Sequence, residues 1–180
     1  METFRTLALR AEQKENKLAA KVGILRTTAS LEMDEEVVLA ANDLLESNGN
    51  LAPELKNEAM YNRAKSLLAL GKQEYAVKDL KELSKDTRHI FGAEASYLLA
   101  DHYFRSGKSD QAEAEVFRLI ESSTPHQYWL ARGFILLADI YIAKDDAFQA
   151  KQYLQSLQNN YKGNDEIASM IQERFTKIGE

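Results

Sequence analysis

The chain has 180 residues, 44% hydrophobic and 28% charged, with a formal net charge of −5 and no cysteine. That balance belongs to a packed globular chain rather than a disordered one, and its acidic sign argues against a nucleic-acid backbone as the main partner. Disulfides, thiolate metal sites and a cysteine nucleophile are excluded outright.

Only 2 Pro and 8 Gly occur, so long helices are permitted and a turn-rich β fold is disfavoured. No apolar run approaches the roughly 20 residues a membrane-spanning helix needs. The opening stretch, METFRTLALRAEQKEN, lacks the apolar core and small-residue cleavage site of a signal peptide. It runs straight into helix-like sequence, as a piece of a longer protein would, and so does not decide the compartment.

In chain order, periodicity and boundary residues predict helices over 2–14, 17–31, 34–47, 53–70, 73–85, 89–106, 109–122, 125–144, 146–160 and 164–178. The first carries Arg10 and Lys14, which with Lys17 and Lys21 would form a basic stripe if no break fell near Asn16. Such a stripe could meet anionic headgroups or an acidic partner, though a solvated face is the simpler expectation. Glu32, Asp34, Glu35 and Glu36 read as helix-start charges favoured by the dipole rather than as a metal site. Ala52 precedes Pro53 where a Ser or Thr would cap better. Gly71 and Gly107 fall just after helices, where a left-handed residue is expected. Thr124-Pro125-His126-Gln127 reads as an N-cap, a first-turn proline and a capping box, and Gly163-Asn164-Asp165-Glu166 as another start.

Every second helix repeats a pattern. Val37/Ala41/Leu44, Ala76/Leu80/Leu83, Ala112/Val116/Leu119 and Ala150/Leu154/Leu157 each share one helical face, and their first members lie 39, 36 and 38 residues apart. The helices before them match too: LLADxY occurs at Leu98–Tyr103 and again at Leu136–Tyr141, and Ala64 and Leu67 hold the corresponding places earlier. A small residue followed one turn later by a large one allows close helix approach and then fills the gap. The last helix, with Ile167, Met170, Ile171 and Ile178 on one stripe, would cap the exposed core of the final pair.

Ala100/Tyr103/Ala112 and Ala138/Tyr141/Ala150 resemble the tetratricopeptide repeat family, whose helix pairs carry a small residue, an aromatic and an opening Ala at these places. Ala64/Leu67/Ala76 lacks the aromatic, Leu25/Thr28/Val37 departs further, the repeats are longer than usual, and the family's proline after the second helix is missing. The strings NEAMYNRAKSLLALG and TPHQYWLARGFILLADIYIAKDDAFQAKQYLQSLQNNY are similar to C-terminal repeats of large Bacteroides-type envelope proteins. The resemblance implies an all-α, right-handed superhelical solenoid spanning 1–180 as one domain. It would comprise a leading helix (1–16), pairs at 17–49, 53–86, 89–123 and 125–161, and a capping helix at 164–178.

It also implies a non-catalytic scaffold that holds a protein or peptide on its concave face, without cofactor or metal, in the periplasm or at the outer membrane. The alternative is a structural or self-associating end segment of a larger envelope protein. Family geometry puts the concave face on each pair's first helix, making Arg26, Tyr61, Lys65, Tyr97, Asp101, Arg105 and Asp139 the candidate groove residues. The groove would be basic at one end and acidic at the other, with two tyrosine rings between. The chaperone-tail clamp known in the family does not fit, since Val22 and Arg26 stand where its Lys and first Asn belong, and only Asn62 matches.

Enzyme chemistry has no foothold: His89, His102 and His126 share no ligand spacing, and no phosphate-cradling glycine loop or nucleophile with its base is present. Trp129, beside Tyr128, reads as packing at a repeat junction, or as a binding anchor if exposed.

Overall fold

A computed structural model describes residues 14–47 and 51–179. Its fold class is the all-α, tetratricopeptide-like one the sequence predicts. Helices α1 (Lys14–Ser30), α2 (Asp34–Leu45), α3 (Pro53–Ala69) and α4 (Gln73–Leu83) belong to one compact unit. Helices α5 (Ile90–Arg105), α6 (Ser109–Glu121), α7 (Gln127–Ala143), α8 (Ala147–Asn160) and α9 (Ile167–Lys177) belong to a second, which begins at Ser84. Helix α1 runs through the expected break at Asn16, while the predicted leading helix (1–16) lies outside the described residues except for 14–16. None of the described helices is long and apolar enough to cross a membrane.

Each pair is closed by the same turn. Glu32, Gly71, Gly107 and Asp145 hold φ of 53°, 71°, 74° and 61°, the left-handed conformation in which glycine has no steric cost. The next amide then reaches back to the preceding helix: Met33 N to Thr28 O, Lys72 N to Leu67 O, Lys108 N to Tyr103 O and Asp146 N to Tyr141 O, at 2.8–3.1 Å. This is the bond that caps orphan carbonyls at a helix end. Asp34, Glu35 and Glu36 occupy the first turn of α2, as the dipole favours.

Two other boundaries differ from expectation. Thr124 keeps part of its expected role, its hydroxyl accepting from His126 N at 3.3 Å, but it also donates to Thr87 O at 2.7 Å, tying one interpair connection to another, and α7 starts only at Gln127. Helix α9 likewise starts at Ile167, whose amide donates to Asp165 Oδ1 at 3.1 Å.

The repeated positions form the cores. In the first unit Leu25, Val37, Ala40, Ala41, Leu44 and Ala59 pack together. Thr28, where other pairs place Leu67, Tyr103 or Tyr141, is fully buried and satisfies its hydroxyl on Ile24 O and Leu25 O, both at 2.9 Å. The departing first pair is thus still a pair. In the second unit Val116, Leu119, Leu137 and Ile140 fill the space between α6 and α7, and a Cβ added to Gly133 would lie 3.2 Å from Val116 Cγ1. Helix α9 covers the last pair with Ile167, Ile171 and Phe175. Sequence reasoning had named the first two and missed Phe175.

One core position breaks the pattern. Arg63 stands where later pairs bury Leu99 and Leu137, and gives Asp79 two bonds of 2.7 Å from Nε and Nη2. Its Nη1 reaches Asn42 Oδ1 at 2.6 Å. The side chain of Asp79 is only 4% exposed, so this pair substitutes for an apolar contact rather than decorating the surface.

Candidate binding face on the first helices

The seven groove residues divide between the two units, and each unit presents its own face. In the first, the charge of Arg26 is answered by Glu58, with bonds of 2.7 and 2.8 Å, and this pair joins α1 to α3. The hydrogen bond and the neighbouring charge of Glu58 raise the Arg26 pKa. Beside it lies an open, largely apolar hollow lined by Leu18, Val22, Arg26 and Leu55. On α3 the Lys65 ammonium lies 5.4 Å from the centre of the Tyr61 ring, a weak cation–π contact that leaves both at the same helix face.

The second unit carries the more elaborate face. Tyr97, Asp101 and Arg105 follow one another at four-residue steps along α5, so they share a stripe. Arg105 Nε donates to Asp101 Oδ2 at 2.7 Å. The Tyr97 ring is nearly buried: the Arg132 guanidinium sits 4.7 Å from its centre, and the Trp129 ring lies 5.5 Å away. Arg132 Nη2 also donates to Tyr97 Oη at 2.7 Å. Trp129 meets Tyr128 edge to face at 4.9 Å. Arg132 Nη1 donates to Tyr128 Oη at 2.8 Å, and Tyr128 Oη donates to Glu166 Oε1 at 2.5 Å.

The result is a shelf of three aromatic rings and one guanidinium on α5 and α7, closed by Glu166 at the start of α9. Burial pushes the Tyr97 pKa up, as it does that of Tyr128, where the Glu166 acceptor adds to the effect. Burial opposes the charge of Arg132, but the two tyrosine oxygens outweigh it and its pKa is raised. Arg132 Nε is shielded from solvent without a hydrogen-bond partner, while the guanidinium as a whole lies over the Tyr97 ring. Farther along, Asp139 receives Arg174 Nη2 at 2.8 Å and Nε at 3.1 Å, an inner-helix pair that docks α9.

On these first-helix faces Arg26, Asp101, Arg105 and Asp139 each meet an oppositely charged partner. Sequence reasoning chose Tyr97, Asp101 and Asp139 but missed Arg132, Glu58 and Arg174. Arg132 was within reach, because it lies one turn before Ile135, the residue matching Tyr97 in the next pair. Trp129 is half-buried, at once packed on Tyr97 and available along its outer edge. Among the described residues no group of three or more His, Asp or Glu side chains is placed to hold a metal ion.

Comparison with known proteins agrees with this geometry. Residues 58–86 and 134–164 match the tetratricopeptide repeat family; each stretch spans the later part of a first helix and the second helix that follows it. No curated protein matches the sequence. Tetratricopeptide repeats are generally non-catalytic and suggest protein partners. The two matched stretches place tetratricopeptide repeats at 58–86 and 134–164, and the helix pairs with their shared turn agree with that family.

Proposed function

We propose that the protein is a non-catalytic binding module that holds an extended or helical segment of a partner protein on the first-helix face of its second unit. The observation that carries this is the Tyr97–Trp129–Arg132–Tyr128 shelf. Aromatic and arginine side chains dominate interface energetics, and a cluster of four already held in place has little entropy left to lose on binding. The paired charges at Asp101–Arg105 and Asp139–Arg174 flank it and would fix the orientation of the bound segment rather than supply most of its affinity. An envelope location agrees with the likeness of the strings NEAMYNRAKSLLALG and TPHQYWLARGFILLADIYIAKDDAFQAKQYLQSLQNNY to envelope proteins and belongs to this proposal.

A peptide library panned against the whole chain tests it. Selected peptides should bind a Trp129→Ala or Arg132→Ala variant about 30-fold more weakly, the loss expected for one hot-spot residue. Chemical shifts in the unaffected helices would show that the variant is still folded. Peptides that bind the folded variants as tightly as the wild type would remove the shelf from the mechanism. A wild-type chain that selects no peptide and instead dimerises in light scattering would favour the self-associating role.

A further inference from the structure

The outer helices of the first unit hold a second feature, separate from the first-helix faces. A hollow of about 440 Å³ opens between α2 and α4, above α3. Its apolar walls are Val38 and Leu67, and its polar side is formed by Arg63, Asp79 and Asn42. Lys72, at the turn, and Tyr75 and Lys78, on α4, complete the lining.

Here the charges are not balanced. Asp79 spends both carboxylate oxygens on Arg63, so that pair is neutral as a whole. Lys72 and Lys78 have no side-chain partner among the described residues, leaving two uncompensated positive charges in a chain of net −5. The guanidinium of Arg63 uses three of its five N–H groups, on Asp79 and Asn42, and retains two. Tyr75 is 73% exposed, a large ring left in water beside both lysines. A hollow with apolar walls, a free ring and two free ammoniums is complementary to an apolar residue flanked by carboxylates.

From this arrangement we infer that the hollow between α2 and α4 is a docking site for an acidic peptide segment of a partner protein. The central apolar side chain rests on Val38, Leu67 and Tyr75, and the flanking carboxylates meet Lys72 and Lys78. The site lies on the second helices and does not depend on the shelf of the second unit, so one can fail without the other.

The probe is the peptide Glu-Glu-Leu-Glu-Glu, with Gln-Gln-Leu-Gln-Gln as its uncharged counterpart, titrated into the isotopically labelled whole chain. The acidic peptide should shift amide resonances of residues 38–42 and 72–79, and the uncharged one should bind about tenfold more weakly. A Lys72→Ala/Lys78→Ala variant should lose a similar factor, whereas Lys108→Ala/Lys177→Ala, which removes the same charge from the second unit, should not. Because all four lysines are exposed, both variants should retain the wild-type spectrum elsewhere. The inference is overturned by shifts that spread evenly over the surface, by equal losses in the two double variants, or by no shift at millimolar peptide.

Discussion

Replacing Arg63 by leucine looks conservative from the sequence, since Leu99 and Leu137 hold the same place in later pairs, yet it should be among the most damaging changes available. The substitution removes two 2.7 Å bonds to Asp79 and the 2.6 Å bond to Asn42. What remains is a carboxylate only 4% exposed, with no counter-charge. Breaking a buried pair in this way costs about 3–5 kcal/mol. Because Arg63 is itself 21% exposed and lies beside the outer hollow, water can reach the site, so the lower end, about 3 kcal/mol, is expected. The double variant Arg63→Leu/Asp79→Leu removes the stranded charge as well, and should return to within about 1 kcal/mol of the wild type. Native-state hydrogen exchange at the amides of α3 and α4 is the assay, because the single tryptophan, Trp129, lies in the second unit and its fluorescence would miss the effect. A single variant costing less than about 1 kcal/mol, or a double variant as unstable as the single, would refute the view that the pair replaces a core leucine.

Asp145 adopts the left-handed conformation that Gly71 and Gly107 adopt in the equivalent turns, so Asp145→Gly should raise stability by up to about 1 kcal/mol and Gly107→Ala should lower it by a similar amount, both read from urea unfolding of the second unit by tryptophan fluorescence. Glu113 answers to pH: burial opposes its charge, but hydrogen bonds from Lys144 and Tyr141 outweigh this and hold its pKa below the usual carboxylate value of 4.5. A depressed folded-state pKa means stability that is present above about 4.5 and lost as pH falls through the lower value. Glu113→Gln should therefore melt below the wild type at neutral pH, with the two thermal midpoints converging in acid; a gap that is constant with pH would count against a stabilising role for the Glu113 carboxylate between Lys144 and Tyr141.

The architecture was legible because it rests on period. Sets such as Ala112/Val116/Leu119 repeat along the chain and are fully buried, and the glycines at 71 and 107 marked two of the four turns. The other two turns use Glu32 and Asp145, residues with no turn signature strong enough to read. Less of the site could be seen. Tyr97 and Asp101 were found by register, but Arg132, Arg174 and Glu58 are assigned only when one helix is laid beside the next, about 32 to 35 residues away. Arg63 was invisible for the opposite reason. A charged residue in a helix reads as surface until its partner, 16 residues on, is brought to it by the turn. Thr124 carried a true capping signature: its hydroxyl accepts from His126 N, and tertiary structure adds a bond from it to Thr87 O that the sequence could not announce.

The shared turn also shows where this chain can change length. From Leu25, Ala64, Ala100 and Ala138 to Val37, Ala76, Ala112 and Ala150 the distance is always 12 residues, and the left-handed residue always falls at the seventh step. All variation in the 39-, 36- and 38-residue period therefore sits in the connections that leave a second helix and enter the next first helix. One residue inserted at Gly107 would rotate α6 by about 100° and carry Ala112, Val116 and Leu119 off the core. The same residue inserted between Glu121 and Gln127 would lengthen a connection whose length already differs from pair to pair. Insertions and deletions should accordingly accumulate between helix pairs and be purged within them, so that the hairpin, rather than the repeat as counted along the sequence, is the unit that evolution can shuffle.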